Sequence, residues 1–129
     1  MNPAKQRKVL VVEDSRLIHR MYQVMLQSVT LVPAFNGEEG LERLAQNPDV
    51  DLVILDVNMP KMTGLEFLNR MKASPQVSRI PVLIVSTEGK EADVKRGLQS
   101  GASDYLKKPF QREDLLATIN RLAPPQTST

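Results

Sequence analysis

Three short apolar runs constrain the fold of this 129-residue chain more than any other feature. Each run consists of four consecutive valine, leucine or isoleucine residues, at positions 9–12, 52–55 and 82–85. A strand exposed on one face alternates apolar and polar residues, whereas a strand buried on both faces is apolar throughout. The runs therefore predict central strands of a parallel sheet that is covered by helices on both faces.

Each apolar run ends at a polar residue. In chain order these residues are Glu13 with Asp14, Asp56, and Ser86. Because the carboxyl ends of parallel strands lie at one edge of a sheet, we expect these side chains to converge. Clustered carboxylates repel one another unless a cation neutralises them, and Mg²⁺ prefers oxygen ligands. The pattern predicts a site for a divalent cation and phosphoryl chemistry, although any one acid taken singly could instead cap a helix or be solvated.

Helical spacing of apolar residues predicts five helices between and after the strands. They cover approximately residues 15–28, 37–47, 65–71, 90–99 and 112–122. A second strand near residues 30–35 contains Pro33, which fits a sheet edge. A brief strand at residues 105–106 precedes the last helix. Five strands alternating with five helices predict an α/β fold with a doubly wound parallel sheet.

The composition predicts one soluble domain over residues 1–122, followed by a flexible tail or the start of a linker at residues 123–129. The chain has no cysteine, which excludes a disulfide framework and a cysteine nucleophile. No apolar stretch approaches the roughly 18 residues of a membrane span, and the first residues are polar, so we expect a cytoplasmic protein without membrane contact. The net charge is +2, the basic residues are scattered and aromatics make up 4%, which argues against direct nucleic-acid binding.

The motifs at the strand ends resemble those of the receiver domain of bacterial two-component response regulators. The matching positions, in the correct order, are Glu13-Asp14-Ser15, Leu55-Asp56-Val57-Asn58-Met59-Pro60, Gly64, Ser86 and Lys108-Pro109. The resemblance covers about residues 7–122, and the combination of Asn58 and Glu88 resembles that of chemotaxis-type regulators. It implies a flavodoxin-like fold with strand order 2-1-3-4-5.

The resemblance also implies a role for each matching residue. Asp56 would accept a phosphoryl group from a phosphohistidine, and Mg²⁺ would be held by Glu13, Asp14, Asp56 and the backbone carbonyl of Asn58. Ser86 would donate a hydrogen bond to a phosphoryl oxygen, and Lys108, before a cis peptide bond to Pro109, would pair with another. Phosphoryl transfer depends mainly on positioning and charge neutralisation, which this set of groups supplies.

Two residues would couple phosphorylation to an output. In the family, the hydroxyl residue, here Ser86, moves toward the phosphate and an aromatic, here Tyr105, turns inward. The alternative for Tyr105 is an ordinary half-buried surface tyrosine. The readout face would comprise the 90–99 helix, the Tyr105 strand and the last helix. The implied partners are a histidine kinase or histidine phosphotransfer protein and a downstream target protein or fused output domain, with the chain a monomer or weak dimer.

The sequence also allows two other interpretations. A flavodoxin-like small-molecule binder or metal-dependent hydrolase is one, although Asn58 is not the second acid that a phosphohydrolase needs near its nucleophile. A receiver that has lost phosphorylation and serves only as an interaction module is another. Glu13 departs from the aspartate common at the first acidic position, which lengthens its reach. His19, the single histidine, is expected on a solvated face of the first helix.

Overall fold

Five strands alternate with five helices in the part of the chain that the computed structural model describes, residues 6–57, 64–87 and 89–125. The strands are β1 Lys8–Val12, β2 Thr30–Ala34, β3 Leu52–Asp56, β4 Val82–Ser86 and β5 Asp104–Lys107. The helices are α1 Arg16–Met25, α2 Gly37–Gln46, α3 Gly64–Lys72, α4 Glu91–Gln99 and α5 Arg112–Leu122. The predicted α/β alternation is confirmed. Among these residues no helix has both the length and the apolar character needed to cross a membrane.

All neighbouring strands are parallel, and their order is β2-β1-β3-β4-β5. The chain moves from β1 outward to β2, then returns to the other side of β1 to form β3. The strand order therefore reverses at β1, and in open α/β sheets such a reversal marks the place where ligands bind, at the carboxyl ends of the strands. The strand order implied by the family resemblance is confirmed, and Pro33 lies in an edge strand as predicted.

Both faces of the sheet are covered, which explains the unbroken apolar runs. Alternate residues of a strand point to opposite faces. Val9 and Val11 belong to the cluster that contains side chains of α1 and α5, while Leu10 and Val12 belong to the cluster that contains side chains of α2 and α3. Val94 of α4 packs in a smaller cluster with Ile84 of β4. Burial on each face removes apolar area from water, and it fixes the register because a shift of one residue would exchange the faces.

Local signals place the start of the first two helices. The backbone N–H of Ile18 donates to Ser15 Oγ at 3.3 Å, and that of Glu39 donates to Asn36 Oδ1 at 2.8 Å, so both predicted starts carry side-chain caps. The first helix ends at Met25 rather than near residue 28. Leu26 leaves helical geometry, with φ −121° and ψ 57°, and is buried in the core while the chain turns toward β2.

Gly64 brings the start of α3 against the end of β3. A Cβ atom at this position would lie 2.8 Å from Val57 Cα and 2.9 Å from the backbone oxygen of Asp56. Real Cβ atoms do not approach backbone atoms this closely, and backbone atoms cannot rotate away as a side chain can. Gly64 therefore allows the helix to start directly on the strand that carries Asp56.

We expect Gly64→Ala to destabilise the protein by about 1–3 kcal/mol, because the added methyl group overpacks backbone atoms. The destabilisation by overpacking should exceed the small gain in stability from the better helix propensity of alanine. Urea unfolding of the variant measures the difference, and Glu42→Ala, at an exposed position of α2, provides a surface control with an expected change within about 0.5 kcal/mol. Equal stability of Gly64→Ala and the original protein would show that the contact is not tight.

Candidate functional site

Three carboxylates meet at the carboxyl ends of β1 and β3. One carboxylate oxygen of each of Glu13, Asp14 and Asp56 lies within 4.8 Å of the other two. Val12 pairs with Leu55 in the sheet, so the residues that follow these two are brought side by side. Glu13 and Asp56 are 3% and 7% exposed, whereas Asp14 is open to solvent. The structure thus combines two buried acids with a third acid at the surface.

Lys108 supplies positive charge at this cluster. Its Nζ atom lies 3.6 Å from Glu13 Oε1, and its backbone N–H donates to the backbone oxygen of Ser86 at 2.7 Å. The peptide bond between Lys108 and Pro109 is cis, as the family resemblance implied. Lys107, the neighbouring lysine, instead lines a groove beside α4. Of the two lysines, Lys108 is the one that reaches the acidic cluster.

Ser86 ends β4 and is buried, at 3% exposed. Its strand pairs with β3 so that Asp56 lies opposite Val85, one residue before Ser86. The backbone hydrogen bond from Lys108 fixes the other side of Ser86. The hydroxyl-bearing residue, the buried aspartate and the lysine therefore lie on adjacent segments at one edge of the sheet.

Burial makes the charge of Glu13 costly. Without a bound cation the pKa of Glu13 is raised from 4.5 to about 7, mainly by desolvation on burial and also by the neighbouring carboxylates of Asp56 and Asp14. The Ser15 N–H, which donates to Glu13 Oε2 at 3.0 Å, and the Lys108 ammonium act in the opposite direction. Because they do not offset burial and like-charge repulsion, the cluster favours an added proton or cation.

Two residues of α1 that were not expected at the site from the sequence, His19 and Tyr22, lie beside the cluster. The prediction that His19 is solvated is wrong, because it is only 7% exposed and its Nε2 lies 2.7 Å from the backbone oxygen of Glu13. Tyr22 is buried as well, and burial together with the Glu13 and Asp56 carboxylates raises the pKa of its phenol. Tyr22 lies three residues after His19 on the same face of α1, so the apolar character of Tyr22 was the available signal.

Tyr105 lies on β5 and is 47% exposed. Its side chain lines a groove of about 300 Å³ between α4 and β5. The lining side chains are those of Ser86, Thr87, Glu91, Val94, Lys95, Leu98, Tyr105 and Lys107. The two residues predicted to form a switch, Ser86 and Tyr105, therefore border one cavity. Asn58, which the resemblance implied as a backbone metal ligand, lies outside the described residues.

The chain matches the family described as response regulator receiver domain over residues 9–120. It is 37% identical over 120 residues to the two-component response regulator ORR11 of Oryza sativa subsp. japonica, covering 90% of this chain and 80% of that protein. It is 35% identical over 121 residues to a chemotaxis protein CheY homolog of Campylobacter jejuni subsp. jejuni, covering 86% of this chain and 93% of that protein.

A solved structure of similar sequence has the same fold. The chemotaxis response regulator CheY4 of Vibrio cholerae matches with a TM-score of 0.82 and 38% identity, covering 92% of this chain and 99% of that chain. This chain belongs to the response regulator receiver domain family, and it resembles the chemotaxis type. The resemblance drawn from the strand-end motifs is confirmed.

We expect Glu13→Gln to stabilise the cation-free protein above about pH 7, by about 1–3 kcal/mol. The folded protein keeps a proton on Glu13 up to about pH 7, whereas the unfolded chain loses it near 4.5, so the original protein loses stability as the pH rises between these values. Urea unfolding in EDTA should give equal free energies of unfolding for the two proteins near pH 4 and a higher value for Glu13→Gln near pH 8. Glu42→Gln, on an exposed face of α2, is the control. A difference in the free energy of unfolding that does not grow with pH would contradict the expectation.

Proposed function

We propose that this chain is the phosphoacceptor switch of a two-component system and that Asp56 receives a phosphoryl group from a histidine kinase or histidine phosphotransfer protein. The observation that carries this proposal is the convergence of Glu13, Asp14 and Asp56 with Lys108 beside them. Membership of the receiver domain family supports the same reaction. The alternatives of a hydrolase or a flavin-binding protein have no comparable support.

The donor set fits Mg²⁺ as the cofactor. All three side chains offer carboxylate oxygens, and Mg²⁺ prefers such ligands while keeping several waters. The exposure of Asp14 leaves room for waters on one side of the ion, and the backbone carbonyl of Asn58 completes the set that the family implies. When bound, the ion supplies the positive charge that neutralises the carboxylates and the incoming phosphoryl oxygens.

Asp56 acts as the nucleophile. A carboxylate oxygen attacks phosphorus, the bond to the donor imidazole nitrogen breaks, and an acyl phosphate is formed. Lys108, which lies beside Glu13 in the unphosphorylated structure, pairs with one phosphoryl oxygen, and the Ser86 hydroxyl donates a hydrogen bond to another. Such fixed donors stabilise the charge on the equatorial oxygens during transfer. The signal ends when water attacks the same phosphorus, so that inorganic phosphate leaves and the carboxylate is regenerated.

The groove between α4 and β5 supports a route from the site to an output face. Ser86 and Tyr105 line it together, and its volume of about 300 Å³ provides space into which the half-exposed ring can turn. A new phosphoryl charge that draws Ser86 toward it changes the packing of this groove. The surface formed by α4, β5 and α5 then presents a different shape to a downstream target protein or a fused output domain.

The proposal assigns residues 1–122 to the receiver domain and residues 123–129 to a flexible tail or the start of a linker. It places the protein in the cytoplasm, where phosphohistidine donors of two-component systems act, and describes it as a monomer or weak dimer. No direct contact with nucleic acid or membrane belongs to the proposed function.

We expect Asp56→Asn to abolish incorporation of label from labelled acetyl phosphate or from a phosphorylated kinase in the presence of Mg²⁺. The amide is not a nucleophile toward phosphorus, so the loss should be complete while the fold is kept. Asp49→Asn is a matched control, because Asp49 is an exposed acid that pairs with Lys8 at the amino end of β1. Label that persists on Asp56→Asn would place the phosphoacceptor at another residue.

We expect the apparent Mg²⁺ affinity to fall by about tenfold between about pH 8 and pH 6, because Glu13 must lose its proton before it can bind a cation. The pKa of Glu13, raised to about 7 by burial, places this change in that range. Isothermal titration calorimetry measures it, and Glu13→Gln should bind Mg²⁺ more weakly but without this pH dependence. An unchanged affinity in the original protein would mean that Glu13 does not exchange its proton for the ion.

A further inference from the structure

We propose that His19 is a positioning residue that holds the turn carrying Glu13 and Asp14 in the conformation that binds the cation. The proposal rests on the proposed function, since it concerns the metal site of the same phosphoacceptor. His19 is not among the motif residues that carry the family resemblance, and from the sequence alone it was expected on a solvated face of α1. The observation that motivates it is the burial of an imidazole directly behind the acidic turn.

The hydrogen bonds of His19 determine which ring nitrogen carries a proton. Nε2 lies 2.7 Å from the backbone oxygen of Glu13 and 3.2 Å from the backbone oxygen of Ala34. A carbonyl oxygen only accepts hydrogen bonds, so Nε2 must be protonated and must donate to both. His19 therefore acts toward the turn as a fixed N–H donor.

These hydrogen bonds hold the peptide groups of Glu13 from two sides. The Glu13 N–H donates to the Ala34 oxygen at 3.0 Å, and the Glu13 carbonyl accepts from His19 Nε2. Ala34 is the last residue of β2, so the turn after β1 is fixed to the end of the neighbouring strand. With both peptide groups of Glu13 held, the direction in which the following Asp14 leaves the strand is set as well.

The His19 ring is itself held in place. Its centroid lies 4.5 Å from that of Phe35 at an interplanar angle of 48°, and the Arg16 guanidinium lies 5.4 Å from the Phe35 centroid. The Phe35 N–H in turn donates to Glu39 Oε1 at 3.0 Å, at the start of α2. A donor restrained in this way is preorganised, and residues that orient metal ligands in this manner affect metal affinity without touching the ion.

Two substitutions distinguish the effect of the His19 N–H donor from the effect of its aromatic ring. His19→Phe keeps an aromatic side chain against Phe35 but removes the N–H. His19→Gln removes the ring but keeps an N–H donor, because its side-chain nitrogen is separated from Cβ by the same number of bonds as Nε2. If donation to the Glu13 carbonyl is what matters, the glutamine variant should behave like the original protein and the phenylalanine variant should not.

The test is Mg²⁺ titration of the full chain by calorimetry, with backbone amide NMR shifts of Glu13 and Asp14 as a second readout. We expect His19→Phe to weaken Mg²⁺ binding by about tenfold and His19→Gln to change it by less than about threefold. The Mg²⁺ concentration for half-maximal labelling by acetyl phosphate should rise in the same proportion, while the labelling rate at saturating Mg²⁺ should stay within about twofold. Thermal unfolding in EDTA reports any general loss of stability.

Three results would overturn the proposal. The first is a Mg²⁺ affinity of His19→Phe equal to that of the original protein. The second is a weakened Mg²⁺ affinity of His19→Gln although this variant is as stable as the original protein. The third is a lower maximal labelling rate of His19→Phe without a change in its Mg²⁺ affinity. If the original protein is labelled at Asp56 and any of these is found, only the role of His19 fails. If the original protein itself binds no Mg²⁺ or takes up no label, the proposed function fails and the role of His19 with it.

Discussion

The parallel pairing of β1 with β3 is the constraint on which the rest of the site depends. It brings Glu13 and Asp56 side by side at the ends of two strands that are buried on both faces. Water cannot solvate the two carboxylates fully there, and their charges repel one another. Folding therefore builds a pocket whose negative charge is unfavourable until a positive charge enters, and Lys108 at 3.6 Å only partly provides it.

The surrounding fold keeps this unfavourable arrangement in place. Apolar side chains above and below the sheet fix the strand register, so the acids cannot move apart by a shift of β1 against β3. Gly64 allows α3 to start directly against the backbone of Asp56. The hydrogen bond from Lys108 to Ser86 joins the ends of β4 and β5 at the same edge. The free energy of core packing thus offsets the electrostatic cost at the sheet edge.

Much of the fold was predictable because its signals are local. Four-residue runs of branched apolar side chains identify central strands, and the spacing of apolar residues identifies helices, since both depend on neighbours along the chain. The end of α1 was predicted about three residues too late, because Leu26 leaves the helix to enter the core. The strand order did not follow from the runs, which are nearly interchangeable in composition; it came from the family resemblance.

The sequence by itself determined which chemical groups stand at the strand ends, because a polar residue after a buried strand is visible in the order of residues. Only the tertiary structure decided the environment of those groups. The burial of His19 against the carbonyls of Glu13 and Ala34, and the raised pKa of Glu13, depend on how β1, α1, β2 and β3 pack together in the folded chain. Solvation and charge interactions are set by what surrounds an atom in space, and the spacing of residues within one helix or strand does not contain that information.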